Sequence, residues 1–299
     1  MPDYFDPKVI GRIKNLELRS LRLVESFFTG MHKSRLLGIS TEFAQHRQYV
    51  PGDDVKHLDW KVFAKTDRFY VKQYEAETGM PVTFLIDTSN SMFFKSEEAP
   101  MSKFDYSATL LGALAYMLLQ QKDTFGLMCF DENVNEVIRA RGSGSHFRNC
   151  IRVLEGAKPS GHTSLYDAIF SMCGQISQKG LVVIISDFID DVDRLSLALG
   201  QLSFLGQDAV LFQIEDPVER DFPFSGQTIF LGLEDEGRML CEPRDLRNAY
   251  LAERGRHFDE IRQAALSFGY DVEKMYTDAP MDKPLSGFLS LRLARRKVR

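Results

Sequence analysis

From residue 81 onward, short apolar runs alternate with longer amphipathic stretches. "PVTFLIDT" (81–88), "TFGLMCF" (124–130), "GLVVIISDF" (180–188) and "QDAVLFQIED" (207–216) are apolar at successive positions, the pattern of strands buried on both faces. "NEVIRARG" (135–142) reads as a further strand. Between the strands, helical spacing predicts helices over 102–121, 145–155, 164–177 and 194–205. Strands of this kind separated by helices predict an α/β fold with a doubly wound, mostly parallel sheet covered on both sides.

The flanks have a different texture. Residues 8–31 place Ile13, Leu16, Leu23, Val24 and Phe27 at helical spacings, with Arg12, Lys14, Arg19 and Arg22 between them, which predicts one amphipathic helix docked on the body of the protein. Glutamates interrupt its basic face, which disfavours a membrane-surface helix. Residues 36–80 break into short segments rich in Phe, Tyr and Val around Pro51-Gly52-Asp53-Asp54, and "RFYVKQYEAE" (68–77) reads as a strand. Residues 227–243 predict a hairpin around "EDEG", followed by a charged helix over 245–268 and a strand near "YDVEKMYTD". The closing "LRLARRKVR" reads as a solvated basic tail. The expected organisation is an N-terminal helix (1–34), a β-rich block (35–80), the α/β domain (81–280) and a C-terminal segment (281–299).

Composition narrows the function classes. Hydrophobic residues make up 44% of the 299 and the net charge is -5; a dedicated nucleic-acid binder would be more basic, so no nucleic-acid partner is expected. The longest continuous apolar stretch, "ALAYMLL" (113–119), falls far short of the roughly 20 residues of a membrane-spanning helix. Cys129, Cys150, Cys173 and Cys241 form no closely spaced pair of the kind that ligates zinc or runs dithiol chemistry. The N-terminus does not resemble a secretory signal. The expected localisation is cytoplasmic.

The chemistry lies at strand ends, where an open α/β sheet gathers its loops and binds ligands. "LIDTSNSMFF" (85–94) turns from an apolar strand into short oxygen-bearing side chains: Asp87, Ser89 and Ser91. Thr163, in "SGHTSLYDAI", sits just before a predicted helix, and Asp187, in "IISDFID", ends another apolar strand. Each alone reads as a turn former or helix cap. Together they form two carboxylates and three hydroxyls, an all-oxygen set suited to a hard divalent cation such as Mg²⁺, Mn²⁺ or Ca²⁺. Hydroxyl ligands leave such an ion electrophilic enough to accept an acidic side chain from another molecule.

Asp87-x-Ser89-x-Ser91, Thr163 and Asp187 resemble the metal-ion-dependent adhesion site of von Willebrand factor A domains. A second match is the block "RQYVPGDDVKHLDWKVFAKTDRFYVKQYEAE" (47–77). Its Pro51 to Asp54 turn, Asp59-Trp60 pair and Val71-Lys72 resemble the signature of the bacterial family called domain of unknown function 58. Together the similarities span roughly 35–280. The resemblance implies an A-type fold and a non-enzymatic module whose metal takes a carboxylate from a client. Because family members are commonly encoded beside MoxR-type AAA+ ATPases, it also implies a partner or adaptor role in protein remodelling or complex maturation. Many members carry transmembrane helices, which this sequence lacks. Pro51 to Trp60 reads as a structural turn and core anchor.

Two other classes compete. A Mg²⁺-dependent phosphoester hydrolase of the haloacid dehalogenase kind needs a second Asp where Ser89 stands. A serine hydrolase needs Gly-x-Ser-x-Gly, which "RGSGSHF" (141–147) does not supply, and no nucleotide-binding P-loop is present. A peripheral membrane-surface protein would work through the basic face of the N-terminal helix and the basic tail. His162, directly before Thr163, reads as a surface loop histidine, and His46, His57 and His257 show no metal-ligand spacing and read as structural or solvated.

Overall fold

A computed structural model describes residues 3–31, 45–48, 70–73, 80–176, 178–232 and 237–296. The chain divides into two compact units, residues 29–79 and residues 1–28 with 80–299.

In the larger unit, β3 (Val82–Asp87), β4 (Phe125–Phe130), β5 (Val134–Arg141), β6 (Leu181–Ser186), β7 (Asp208–Glu215) and β10 (Asp271–Tyr276) form one sheet of order β10-β7-β6-β3-β4-β5. All neighbours are parallel except the edge strand β5, which folds back antiparallel on β4. β3, β4 and β6 are buried along their whole length or nearly so, as their unbroken apolar runs require. The fold is the expected α/β class with a mostly parallel sheet.

Helices cover both faces. Leu85, Met128, Val182 and Leu211 point to a core shared with α5 (Leu165–Cys173), α6 (Val192–Phe204) and α8 (Pro243–Ser267), where Ile169, Leu199 and Ile261 are fully buried. The alternate positions Phe84 and Phe125 stack edge to face on the other side, where α3 (Lys103–Gln120) and α4 (Gly144–Gly156) pack. Gly112 of α3 lets α2 (Leu16–Met31) approach closely: a Cβ there would collide with the Ser20 hydroxyl.

Three departures from the sequence reading have physical causes. The N-terminal helix is broken into α1 (Pro7–Ile10) and α2, because the Asn15 side chain accepts from the Leu18 amide at 2.7 Å and starts a new helix. Within α2, Arg19 is buried and bonds Thr109 of α3 at 3.1 Å, so it is not part of a solvent-facing basic stripe. The C-terminal segment carries a helix that the sequence pattern did not predict: α9 (Asp282–Arg296) buries Leu285, Phe288 and Leu289, while the side chains of the expected basic tail, 291–299, lie outside the described residues. A short helix, α7 (Pro217–Asp221), was not anticipated, although Asp216 and Glu219 close a capping box around it. A hairpin of β8 (Thr228–Leu231) and β9 (Arg238–Cys241) precedes α8; part of the expected "EDEG" turn lies outside the described residues.

In the smaller unit, β1 (Gln45–Gln48) pairs antiparallel with β2 (Tyr70–Gln73), which sets Arg47 opposite Val71 and His46 opposite Lys72. Pro51 to Trp60, including His57, lies outside the described residues.

Candidate metal centre

β3 and β6 are adjacent parallel strands, so Asp87, ending one, and Asp187, just past the other, come out on the same edge of the sheet. After β3 the chain is held to β4 by Thr88, whose amide and hydroxyl both donate to the Phe130 carbonyl at 2.7 and 2.8 Å. Ser89 then starts a short 3-10 helix, Asn90–Phe93. The loop carrying Thr163 is pinned to this one: Ser160 donates to the Thr88 carbonyl and Asn90 to the Gly161 carbonyl, each at 3.3 Å. Gly161 adopts a left-handed φ of 55° there, a conformation that glycine tolerates without strain. Asp190, in the loop after β6, accepts from the Leu165 amide at 2.9 Å and ties the third loop to the second.

All five residues expected from the sequence are joined in one hydrogen-bonded chain. Thr163 donates to both Asp87 oxygens at 3.0 and 3.3 Å. The Ser89 amide donates to Asp87 at 2.8 Å, and the Ser89 and Ser91 hydroxyls lie 3.1 Å apart. Ser91 in turn bonds Asp187. Asp87, Ser89, Ser91 and Asp187 are buried, and Thr163 is half-buried at the mouth.

The two carboxylates are electrostatically unlike. Burial and the nearby Asp187 charge push the Asp87 carboxyl up to about 7, although Ser186 donates to it at 2.6 Å. No Lys, Arg or His pairs with Asp87 among the described residues. Burial would raise Asp187 too, but the Lys103 ammonium at 2.7 Å outweighs it and holds the carboxyl below its usual range. Lys103 itself is fully buried between Asp187 and Glu219, the latter at 2.8 Å. Burial opposes its charge, and the two carboxylates more than restore it. The network continues outward: Arg254 pairs with Glu215 at 2.8 Å and lies 3.8 Å from Glu219, and Lys274 pairs with Glu215 at 3.1 Å.

Lys103 and Ser186 are the site residues that sequence reasoning missed. Ser186 was open to it, as the small polar residue that closes the apolar run of β6. Lys103 had only a weak signal, a lysine directly after the Ser102 cap of an otherwise apolar helix. Of the histidines, His257 donates through Nε2 to the Phe188 carbonyl at 2.8 Å, and the His162 amide lies 3.4 Å from the Glu132 carboxylate.

The donor set fits a hard cation. It is hydroxyl-rich, its one unpaired carboxylate is destabilised as an anion by burial and by its neighbour, and a cation beside Asp87 would remove that penalty. Among the described residues no group of three or more His, Cys, Asp or Glu side chains forms a metal-binding cluster, so this set and not a thiolate or carboxylate cage is the candidate.

A family model described as "Protein of unknown function DUF58" matches residues 45–260. The uncharacterized protein Rv1480 of Mycobacterium tuberculosis is 24% identical over 235 residues, which cover 78% of this chain and 73% of that one. Among solved structures, the conserved hypothetical protein BatB from Bacteroides thetaiotaomicron is similar over 72% of this chain and 100% of its own, with 15% identity and a TM-score of 0.46. The SpRpn10 VWA domain is similar over 69% of this chain and 93% of its own, with 13% identity and a TM-score of 0.43.

Proposed function

We propose, given that the chain belongs to the family of proteins of unknown function DUF58, that it is a non-enzymatic interaction protein whose Asp87 centre docks an acidic residue of a partner through a divalent cation. The observation that carries this reading is the single hydrogen-bonded group of Asp87, Ser89, Ser91, Thr163 and Asp187, in which, among the described residues, only Asp187 has a cationic partner. Ser89, Ser91 and Thr163 would hold the cation with neutral oxygens and Asp87 with charge. Asp187, already balanced by Lys103, would act indirectly by orienting the Ser91 hydroxyl. A cation so held supplies an electrophilic docking point for a carboxylate. The chain's own part is to preorganise the three loops, so that little ordering cost remains when the partner arrives.

The proposed partner, suggested by the family resemblance, is a MoxR-type AAA+ ATPase, a client protein that it remodels, or both. The membrane-surface alternative loses support from the burial of Arg19, and no described helix is long and apolar enough to cross a membrane. The test is affinity capture from native lysate with wild type and Asp87→Ala, each in Mg²⁺ and in chelator. The expected result is recovery of an AAA+ ATPase or client by wild type in Mg²⁺ alone. Equal recovery in all four samples would refute the reading.

A further inference from the structure

β5 forms one edge of the six-stranded sheet, and a cavity of about 370 Å³ lies between it and α4. Val137 and Ile138 supply its apolar lining. Its polar lining comes from Arg139, Arg141, His146 and Asn149, all of which carry N–H donors, and no carboxylate lines it. The surrounding stretch has the same character: residues 137–154 include Arg139, Arg141, Arg148 and Arg152 and no Asp or Glu, in a chain whose net charge is -5. Of the two glutamates that flank this stretch, Glu155 accepts from the Leu16 amide at 2.9 Å and Glu136 sits opposite Cys129; neither is part of the cavity wall. Arg139 and Arg141 are exposed and, among the described residues, have no carboxylate partner.

The backbone is shaped to bring these side chains together. Phe125 and Leu127 share one face of β4, but their partners on β5, Arg141 and Ile138, are three residues apart rather than two. The extra residue makes a bulge opposite Gly126 and turns Arg141 onto the face that Ile138 occupies, where α4 packs. Only glycine fits β4 at that point: a Cβ on Gly126 would lie 2.8 Å from the Ile138 carbonyl oxygen and 3.0 Å from the Ala140 nitrogen. His146 of α4 is held against the same strand. Its Nε2 donates to the Phe125 carbonyl at 2.6 Å, and the two rings lie 5.0 Å apart between centroids.

Two guanidiniums on one cavity with no counter-charge call for an anion, and their planar forks fit the oxygens of phosphate or carboxylate. A phosphate monoester carries about -1.5 to -2 charge near neutral pH, which matches Arg139 and Arg141 together, whereas a carboxylate balances only one of them. We infer that this cavity binds a phosphate monoester, with the Arg139 and Arg141 guanidiniums as its charge partners. The inference is independent of the metal centre and of the proposed docking function. The cavity is larger than a bare phosphate and lies at the small end of the range for ligand pockets, so the group arrives with the rest of its molecule attached. A phosphorylated side chain and a small sugar phosphate share this chemistry, and titration separates them.

The experiment is calorimetric titration of the full chain, in chelator, with N-acetylated, C-amidated phosphoserine, with ribose 5-phosphate, and with N-acetylated, C-amidated aspartate. At least one of the two esters is expected to bind saturably, one per chain, and at least tenfold more tightly than the aspartate compound. Tighter binding of phosphoserine assigns the group to a partner protein, and tighter binding of ribose 5-phosphate assigns it to a metabolite; equal binding supports recognition of the phosphate alone. Arg141→Ala should weaken the ester at least tenfold, and the double variant Arg139→Ala, Arg141→Ala should abolish binding; both side chains are exposed, so the fold is retained. Arg262→Ala removes the same charge from an exposed position on α8 and should change nothing. Aspartate binding as tight as the esters, or an equal loss in Arg262→Ala and Arg141→Ala, would overturn the inference. So would the absence of saturable binding at millimolar concentration, which would leave the arginines as guards of an open sheet edge.

Discussion

Removing the Lys103 ammonium would leave the buried Asp187 and the half-buried Glu219 without their shared cation. Breaking a buried ion pair from one side costs about 3–5 kcal/mol, and Lys103→Met is expected to lose that much in denaturant unfolding. Asp87 sets a pH dependence. Its folded carboxyl is raised from 3.8 to about 7, so the folded state binds the proton more tightly than the unfolded state between these values. Its contribution to stability is therefore intact in acid and declines as pH rises towards 7, by at most roughly 1.4 kcal/mol per unit, then levels off. In chelator, wild type should lose stability relative to Asp87→Asn over that window, and Mg²⁺ should close the gap. A flat difference in chelator would contradict the burial argument. These two residues also differ in legibility. Asp87 shows in the sequence because short oxygen-bearing side chains interrupt an apolar run. Lys103 does not, because a lysine in the first turn of a helix ordinarily extends to solvent, and only the tertiary approach of β6 and α7 turns it inward.

At the scale of elements, the strands that carry the site were legible because burial on both faces leaves them, Thr83 apart, apolar up to the polar residues at their carboxyl ends. What escaped was set by local capping or by distant packing. The break between α1 and α2 depends on one Asn15 side-chain bond. The helix α9 places Leu285, Phe288 and Leu289 between Lys283 and Arg292, and only its docking shows that these three face inward. Phe288, at 2% exposure, tests this: Phe288→Ala is expected to cost about 3–5 kcal/mol, measured by thermal or denaturant unfolding. A loss under about 0.5 kcal/mol, the size of an ordinary surface change, would mean that the segment behaves as a solvated tail.

For the whole molecule, topology explains why a site spread from residue 87 to residue 187 is a single site. Asp87 and Asp187 leave neighbouring parallel strands on the same edge of the sheet, and the Thr163 loop is bonded to Asp87 and, through the Leu165 amide and the Asp190 carboxylate, to the loop after β6. The order of motifs along the chain foreshadowed that convergence; the pairing of Asp187 with Lys103, which makes the two carboxylates unequal, required three dimensions. The central claim is that this edge holds a divalent cation. It is tested most directly by Mn²⁺ titration of the full-length chain followed by electron paramagnetic resonance, with wild type and Asp87→Ala compared side by side. The account predicts one saturable Mn²⁺ per chain in wild type, displaced by Mg²⁺ and lost in Asp87→Ala while the fold is retained. Binding that is absent from wild type, or unchanged in the variant, would contradict it.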